Sequence, residues 1–378
     1  MSDAPPAPSW PEGFARGAAN RAALAVLLGL SSITPRRLLA IAVRAPTASA
    51  ALASIRRGGN GSGEDRERAR ELDGDEIVRA AATAGARLVA VGDDEYPPSL
   101  LDLFDPPAGL FVRGAGLSSP APAVAIVGAR NASPDGEDVT VALGAALARA
   151  GARVISGAAR GIDARAHQGA LDAGGVTVAV LGSGIDVAYP RQNAGLIERI
   201  AASGSVLSEY PPGTKALPFR FPARNRIVAG LARAVVVVEG ARGSGSMITA
   251  DHALELGREV FAVPGPVTSE LAQVPLSLIR EGATMIRGPD DLLDDLGLTG
   301  APPGDGSPEN RGERSAGEEL PADEAAVVAV LSGSCPVETI AARAGLSLPR
   351  TLAALGGLEL RGLVRSRGGR YEVPARPG

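Results

Sequence analysis

The chain has 378 residues, a formal net charge of −4, 45% hydrophobic residues and only 3% aromatic ones. That length holds two or three domains with a substantial core, and the slight acidity excludes wholesale coating of nucleic acid by a basic surface. One cysteine, Cys335, excludes a disulfide framework, and two histidines, His167 and His252, give zinc no set of soft ligands, so no metal and no cofactor is expected.

Residues 1–15, rich in Pro, Ala and Ser, read as a disordered tail. Residues 16–115 read as a small helical domain. Thr34-Pro35 and Pro46-Thr47 mark helix boundaries, and the glycine-rich, then charged run 56–76 reads as a flexible, solvated insertion. The apolar stretch Ala22 to Leu30 is too short to span a bilayer and has no basic region before it, so a cytoplasmic protein with no membrane partner is expected. In DDEYPPSLLDLFDPPAGLFVRG, from Asp93 to Gly114, the prolines force extended and turn structure, and Tyr96, Phe104 and Phe111 are expected to dock it on the next domain.

From Ala123 the period changes. Apolar runs at Val124 to Val127, Val154 to Ile155, Val176 to Leu181, Val206 to Leu207, Val235 to Val238 and Val260 to Val263 alternate with helical segments. This is the pattern of an α/β doubly wound parallel sheet, expected over 116–296. Residues 297–322 read as a linker, and 323–378 as three helices and a hairpin tipped by Gly368-Gly369, a winged helix.

Ligands of open α/β sheets sit beyond the carboxyl ends of the strands. There this chain carries Gly128-Ala129-Arg130, the Ser156 to Asp163 loop, Gly182-Ser183-Gly184, Glu209-Tyr210 and the Gly240 to Ser246 loop. Glycines permit close backbone approach and helix N-termini attract phosphate, so Ser156, Gly157 and Gly161, and Ser244, Gly245 and Ser246, read as anion-binding loops. Arg130, Arg160, Arg191, Arg220, Arg224 and Arg226 supply cations; Phe219, Phe221, Tyr189 and Tyr210 are stacking platforms. With a helix starting near Ala223, Arg224 shares a stripe with Ile227, Val228 and Leu231 and is expected to be partly buried, its partner being Glu239, Glu209 or a bound phosphate. Arg226 lies roughly 200° away and is expected to face solvent, contacting phosphate as Arg130 does. Asn225 stands between them.

An enzymatic reading finds less. The first strand-to-helix turn, VGARNASPDG, departs from G-x-G-x-x-G, the single lysine, Lys215, leaves no Gly-Lys-Ser/Thr phosphate loop, and His167 reads as structural. Asp163, Asp186, Glu209 and Glu239 read as helix caps or arginine partners before they read as acids or bases.

The motifs VAIVGAR, SGAARGIDARAH, LGSGIDVAYPRQN, SEYPPGTKALPFRFPARNRIVAGL, VVVVEGARGSGSMITADHALELGREVFAVPG and IREGA resemble, in order and spacing, the DNA-processing proteins of the DprA (Smf) family. The resemblance is strong over about 120–296 and weaker at both ends. It implies an extended Rossmann-like domain that binds single-stranded DNA without catalysis, protects incoming strands, forms homodimers and helps load RecA in natural transformation. It puts DNA contacts on Arg130, Arg191 and Phe221, with the FPARNR arginines and the SGSMITA loop lining the same groove. One departure is SELAQVPLSLIREGA, which carries Pro275 where the family has a Gly and Asn pair before its last core helix. Two other readings stay open: a Rossmann-like enzyme processing nucleoside monophosphates, although its PGGxGTxxE motif is missing, and a double-strand DNA regulator acting through the winged helix.

Overall fold

A computed structural model describes residues 9–117, 119–298, 321–330, 335–360, 364–367 and 370–372. The described residues fall into two units, divided between Gly304 and Asp305.

The first unit opens with five helices: α1 (Ala18–Leu28), α2 (Pro35–Ala42), α3 (Ala48–Arg56), α4 (Gly63–Glu71) and α5 (Gly74–Thr83). Thr34 and Thr47 cap α2 and α3, accepting from the amides of Arg37 and Ala50, as the Thr-Pro and Pro-Thr boundaries predict. The expected tail is shorter than 15 residues. Phe14 is fully buried and Trp10 packs on it with ring centroids 5.0 Å apart, because these rings cover the α1 and α3 core. Nor is 56–76 a flexible insertion. Ser62 and Asp65 form a capping box that starts α4, and buried Asp65 also accepts from the amide and hydroxyl of Ser32 in the α1–α2 turn.

The sheet then runs through β1 (Ala86–Ala90), β2 (Gly109–Gly114), β3 (Ala123–Val127), β4 (Arg153–Ser156), β5 (Thr177–Leu181), β6 (Ser205–Ser208), β7 (Ala234–Val237), β8 (Glu259–Ala262) and β9 (Thr284–Met285), in the order β1-β2-β6-β5-β4-β3-β7-β8-β9. From β6 to β9 neighbours are parallel, with Val124 opposite both Val154 and Ala234. β3, β5, β6 and β7 are buried at every position; β3 and β7 are accordingly continuous apolar runs rather than alternating ones, and the buried hydroxyls of Thr177 in β5 and Ser208 in β6 donate to backbone carbonyls. Helices α6 (Pro134–Arg149), α7 (Ile162–Asp172), α8 (Ala194–Ser203), α9 (Arg220–Leu231), α10 (Gly245–Glu255), α11 (Gln273–Arg280) and α12 (Pro289–Asp295) cover it. Val124, Ile126 and Val236 pack toward α6, α7 and α12; Ala125, Val127, Val235 and Val237 face α9, α10 and α11. Pro275 sits in the first turn of α11, where its missing N–H costs no helical bond.

The chain fills one side of β3 with β4, β5 and β6, then crosses back through α9 to place β7 on the other. The switch point therefore lies between β3 and β7.

The expected boundary at 115/116 falls inside this unit. β2 pairs antiparallel with β6, matching Phe111 to Ser208, and one hydrophobic cluster joins Leu24, Leu27 and Ile55 to Phe111, Leu181 and Val206. Tyr96 and Phe111 dock as expected, but Phe104 is 72% exposed, with the Arg36 guanidinium 4.3 Å above its ring. At the other end Leu298 still packs with Leu292 and Leu296, so the described chain stays in the core past 297. Residues 299–320 of the expected linker lie outside the described residues.

The second unit holds α13 (Ala322–Val330), β10 (Cys335–Pro336), α14 (Val337–Ala344), α15 (Leu348–Leu360), β11 (Arg365–Arg367) and β12 (Arg370–Glu372), with the sheet order β10-β12-β11. Val327, Ile340, Leu355, Leu358 and Val364 form its core. Three helices and a small sheet make a winged helix; the Gly368-Gly369 tip lies outside the described residues.

Candidate nucleic-acid interface

At the carboxyl edge of the sheet, over the switch point, two clefts adjoin. The larger, about 550 Å³, is lined from β3 by Val127 to Asn131, from α9 by Phe221, Arg224 and Asn225, and from the loop after β7 by Ala241 and Gly243 to Ser246. The second, about 420 Å³, is lined by Arg160, Tyr189, Arg191 and Gln192, and shares Arg130, Gly157, Ala159, Tyr189 and Phe221 with the first.

Phe221 and Tyr189 form the ridge between them. Their centroids are 5.2 Å apart with planes at 33°, and Tyr189 is 47% exposed. The Arg130 guanidinium lies 5.1 Å from the Phe221 ring centre. Arg130, Arg160 and Arg191 are exposed and make no ion pair among the described residues. Three guanidinium groups around an open aromatic ridge suit a ligand that alternates phosphates and flat rings.

Arg224 is 4% exposed and forms the floor of the larger cleft. Its Nη1 donates to the Val180 carbonyl and its Nε to Asn225 Oδ1 at 3.2 Å. Burial pulls its pKa down to about 10, against the opposing pull of Asp163. Asp163, rather than Glu239 or Glu209, is therefore the carboxylate whose field acts on it, with no direct ion pair between them among the described residues. The guanidinium lies directly on the α-carbon of Gly157, so any side chain at 157 would displace it. Asp163 is itself buried, which raises its pKa against the fields of Arg224 and Arg130, and it accepts from the Ala159 amide at 3.3 Å. Its position in the first turn of α7 is the sequence signal for this role. No sequence signal marked Asn193, whose side-chain amide donates to the carbonyls of Ala158 and Ala159 at 3.0 and 3.1 Å and clamps the same loop.

Asn225 Nδ2 donates to the Gly245 carbonyl at 2.9 Å, tying α9 to the loop after β7. Ser244 is the N-cap residue of α10, but its hydroxyl bonds Ser246 Oγ at 2.6 Å rather than an α10 amide. Gly245 is exposed in the cleft while Ser246 is largely buried.

Three expected contacts lie elsewhere. Ser156 is fully buried and donates to the Ile126 carbonyl at 2.7 Å, bracing β4 against β3. Gly161 precedes α7 at φ 68°, packed on the Ala129 carbonyl, where its role is the turn itself. Arg226 does not face solvent: it is 5% exposed, with Nη2 2.7 Å from Glu209 and Nε 3.0 Å from Asp105. The 200° rotation from Arg224 holds, but α9 starts at Arg220, not near Ala223, and is covered on its second side by the 93–117 segment as well. Arg220 stacks 4.7 Å from the Tyr210 ring centre, away from the ridge. His167 is structural as expected, fully buried with Nδ1 2.6 Å from Thr177 Oγ1.

Residues 87–297 match the family model for DNA recombination-mediator protein A, and residues 312–370 match the DprA winged helix domain. The Smf protein of Escherichia coli is 38% identical over 292 residues, 75% of this chain and 76% of that protein. The crystal structure of DNA processing protein A from Streptococcus pneumoniae superposes with TM-score 0.64 and 34% identity, covering 74% of this chain and 98% of that one. A structure of DNA processing protein A from Helicobacter pylori, described for its single-stranded DNA binding mode, superposes with TM-score 0.51 and 29% identity over 56% of this chain and 97% of that one. The chain belongs to the DprA family of DNA recombination mediators, with the family's winged helix domain at its C-terminal end.

Proposed function

We propose that this protein binds single-stranded DNA along the paired clefts, makes and breaks no bond there, protects the incoming strand, and as a homodimer delivers it to a RecA recombinase in natural transformation. One observation carries the DNA-binding part: three exposed guanidinium groups, in no ion pair among the described residues, surround the Tyr189–Phe221 ridge. Phosphates of a flexible strand fit Arg130, Arg160 and Arg191, a base fits the ridge, and the start of α10 offers amides to a further phosphate. Arg224, Asn225, Gly157 and the Ser244–Ser246 turn shape the track from beneath. The likeness to the Helicobacter pylori protein supports this reading, and family membership supports delivery to the recombinase.

A buried carboxyl with raised pKa, Asp163, lines the larger cleft and favours the alternative, an enzyme acting on nucleoside monophosphates. Its bond to the Ala159 amide and its opposition to Arg224 give it a structural task instead.

Fluorescence anisotropy with oligo-dT, duplex and mononucleotide over a salt series tests the choice. Arg130→Glu with Arg191→Glu should weaken oligo-dT binding at least ~10-fold and flatten the log–log salt slope by roughly 0.7 for each phosphate no longer neutralised. Unchanged oligonucleotide affinity in that variant, or turnover of a free mononucleotide, would remove the crevice as a passive track.

A further inference from the structure

Three aromatic side chains are exposed among the described residues: Tyr189 of the ridge at 47%, Phe219 at 64% and Phe104 at 72%. A ring left in water forgoes the stabilisation of burial, although a single exposed one needs no explanation. The two phenylalanines are not single. Each lies against a guanidinium group, Arg36 at 4.3 Å from the Phe104 ring centre and Arg220 at 5.6 Å from that of Phe219. The ridge is built the same way, with Arg130 against Phe221.

Both rings stand on one side of α9. Phe219 is its N-cap residue, and Pro218 before it lines the larger cleft. Seven residues on, about 10 Å along the axis, buried Arg226 holds Asp105, the neighbour of Phe104. Between the rings lies a hollow of about 180 Å³ lined by Pro35, Phe219, Ala223 and Arg226, and Arg36 follows Pro35 on its rim. Arg36 and Arg37 are exposed and, like Arg220, in no ion pair among the described residues. The carboxylates of Asp105 and Glu209 are spent on Arg226. Arg220 stands against both Tyr210 and Phe219 and donates to the Lys215 carbonyl, which fixes the Phe219 ring at the corner.

We propose that this surface is an outer station of the single-stranded DNA track. A strand leaving the larger cleft over Pro218 rests one base on Phe219 and another on Phe104, and Arg36 and Arg37 take the phosphates beside Phe104. The proposal rests on reading the crevice as a polynucleotide site. Two features favour nucleic acid over a protein partner: the cations here have no carboxylate to neutralise them, and the rings continue the cleft around the start of α9. Arg226 lies buried beneath and makes no contact with the strand.

Phe104→Ala with Arg36→Glu changes two exposed side chains outside the crevice. In fluorescence anisotropy this variant should bind a long oligo-dT of about 20 nucleotides at least ~5-fold more weakly, with the log–log salt slope flatter by roughly 0.7 for the lost phosphate contact. A short oligo-dT of about 6 nucleotides, enough for the crevice alone, should bind within about 2-fold of the native protein. An unchanged affinity for the long oligomer, or an equal loss at both lengths, would overturn the station. Photocross-linking with a single 5-iodouracil moved along the long strand locates the contacts directly. Positions toward one end should cross-link to Phe104 or Phe219, and others to Tyr189 or Phe221. Cross-links at the ridge with none at Phe104 or Phe219 would overturn the proposal and leave these rings to a protein partner. Cross-links at Phe104 with none at the ridge would overturn the crevice reading alone.

Discussion

Arg226 and Glu209 form a buried ion pair, and half-buried Asp105 holds the same guanidinium from its other side. Burial raises the Glu209 pKa and Arg226 opposes it, while the two carboxylates hold the Arg226 guanidinium charged. Removing one member strands the rest. Arg226→Met should therefore cost about 3–5 kcal/mol in urea unfolding, and adding Glu209→Gln should recover much of it. Oligo-dT affinity of the folded fraction should remain within about 2-fold, because this arginine lies on the far side of α9 from the ridge. A loss of affinity without loss of stability would return Arg226 to the phosphate track. A second buried group gives a pH signature. Burial depresses the His167 pKa from 6.5 to about 3, Arg224 adding to the effect. Its folded pKa lies below its unfolded one, so its contribution is complete above pH 6.5 and is lost as the pH falls toward 3, at about 1.4 kcal/mol per unit. Asp163, with a raised folded pKa, runs the other way and gains as the pH falls. His167→Gln should thus flatten the fall in urea midpoint between pH 6 and 4.5, the Asp163 contribution being common to both proteins and cancelling in the comparison. An unchanged slope would mean that His167 titrates freely.

At the scale of elements, the strands were legible because burial on both faces leaves a run of apolar residues that no other element of that length needs. The carboxyl-edge loops were legible as well, since glycine and arginine stand where β-branched residues stop. α4 was not. It exposes most of its charged surface and buries little beyond Ala69 and Asp65, so its reading as solvated chain was right about water and wrong about order. Its anchor is one carboxylate: burial pushes the Asp65 pKa up, and bonds from Ser32 and Ser62 outweigh that and hold it below the usual value. Asp65→Ala deletes the capping box and the tie to the α1–α2 turn together, and should cost about 2 kcal/mol. Limited proteolysis should then cut near 57–61 before the rest of the chain; unchanged resistance there would show that α4 is held by Ala69 alone. The face of α9 that carries Arg226 was illegible for a related reason. Periodicity gives the angle between two side chains, but not how many sides of a helix the fold will cover.

At the scale of the whole molecule, the apparent domains of the sequence are not all independent bodies. The helical segment before 116 shares its core with the sheet, and β2 extends that sheet, so neither half buries its apolar surface alone. The winged helix has a core of its own. Separability should follow the cores rather than the composition. A chain ending at Gly304 keeps Leu298 and the three clusters of the first unit and should unfold in one cooperative transition. If the crevice carries the strand, this truncated chain should bind oligo-dT within about 3-fold of the full protein, with the salt slope reduced by less than one phosphate contact, roughly 0.7. Residues 323–378 are only mildly basic, and any contacts they add would show as a small increment of that kind. Should the truncation fold and melt cooperatively yet lose oligonucleotide binding by ~100-fold, affinity would belong to the winged helix, and the guanidinium groups around Tyr189 and Phe221 would need another ligand. A cut at 115/116 gives the opposite expectation: exposing Phe111, Leu181 and Val206 together removes the shared cluster, and neither fragment should show a cooperative melt.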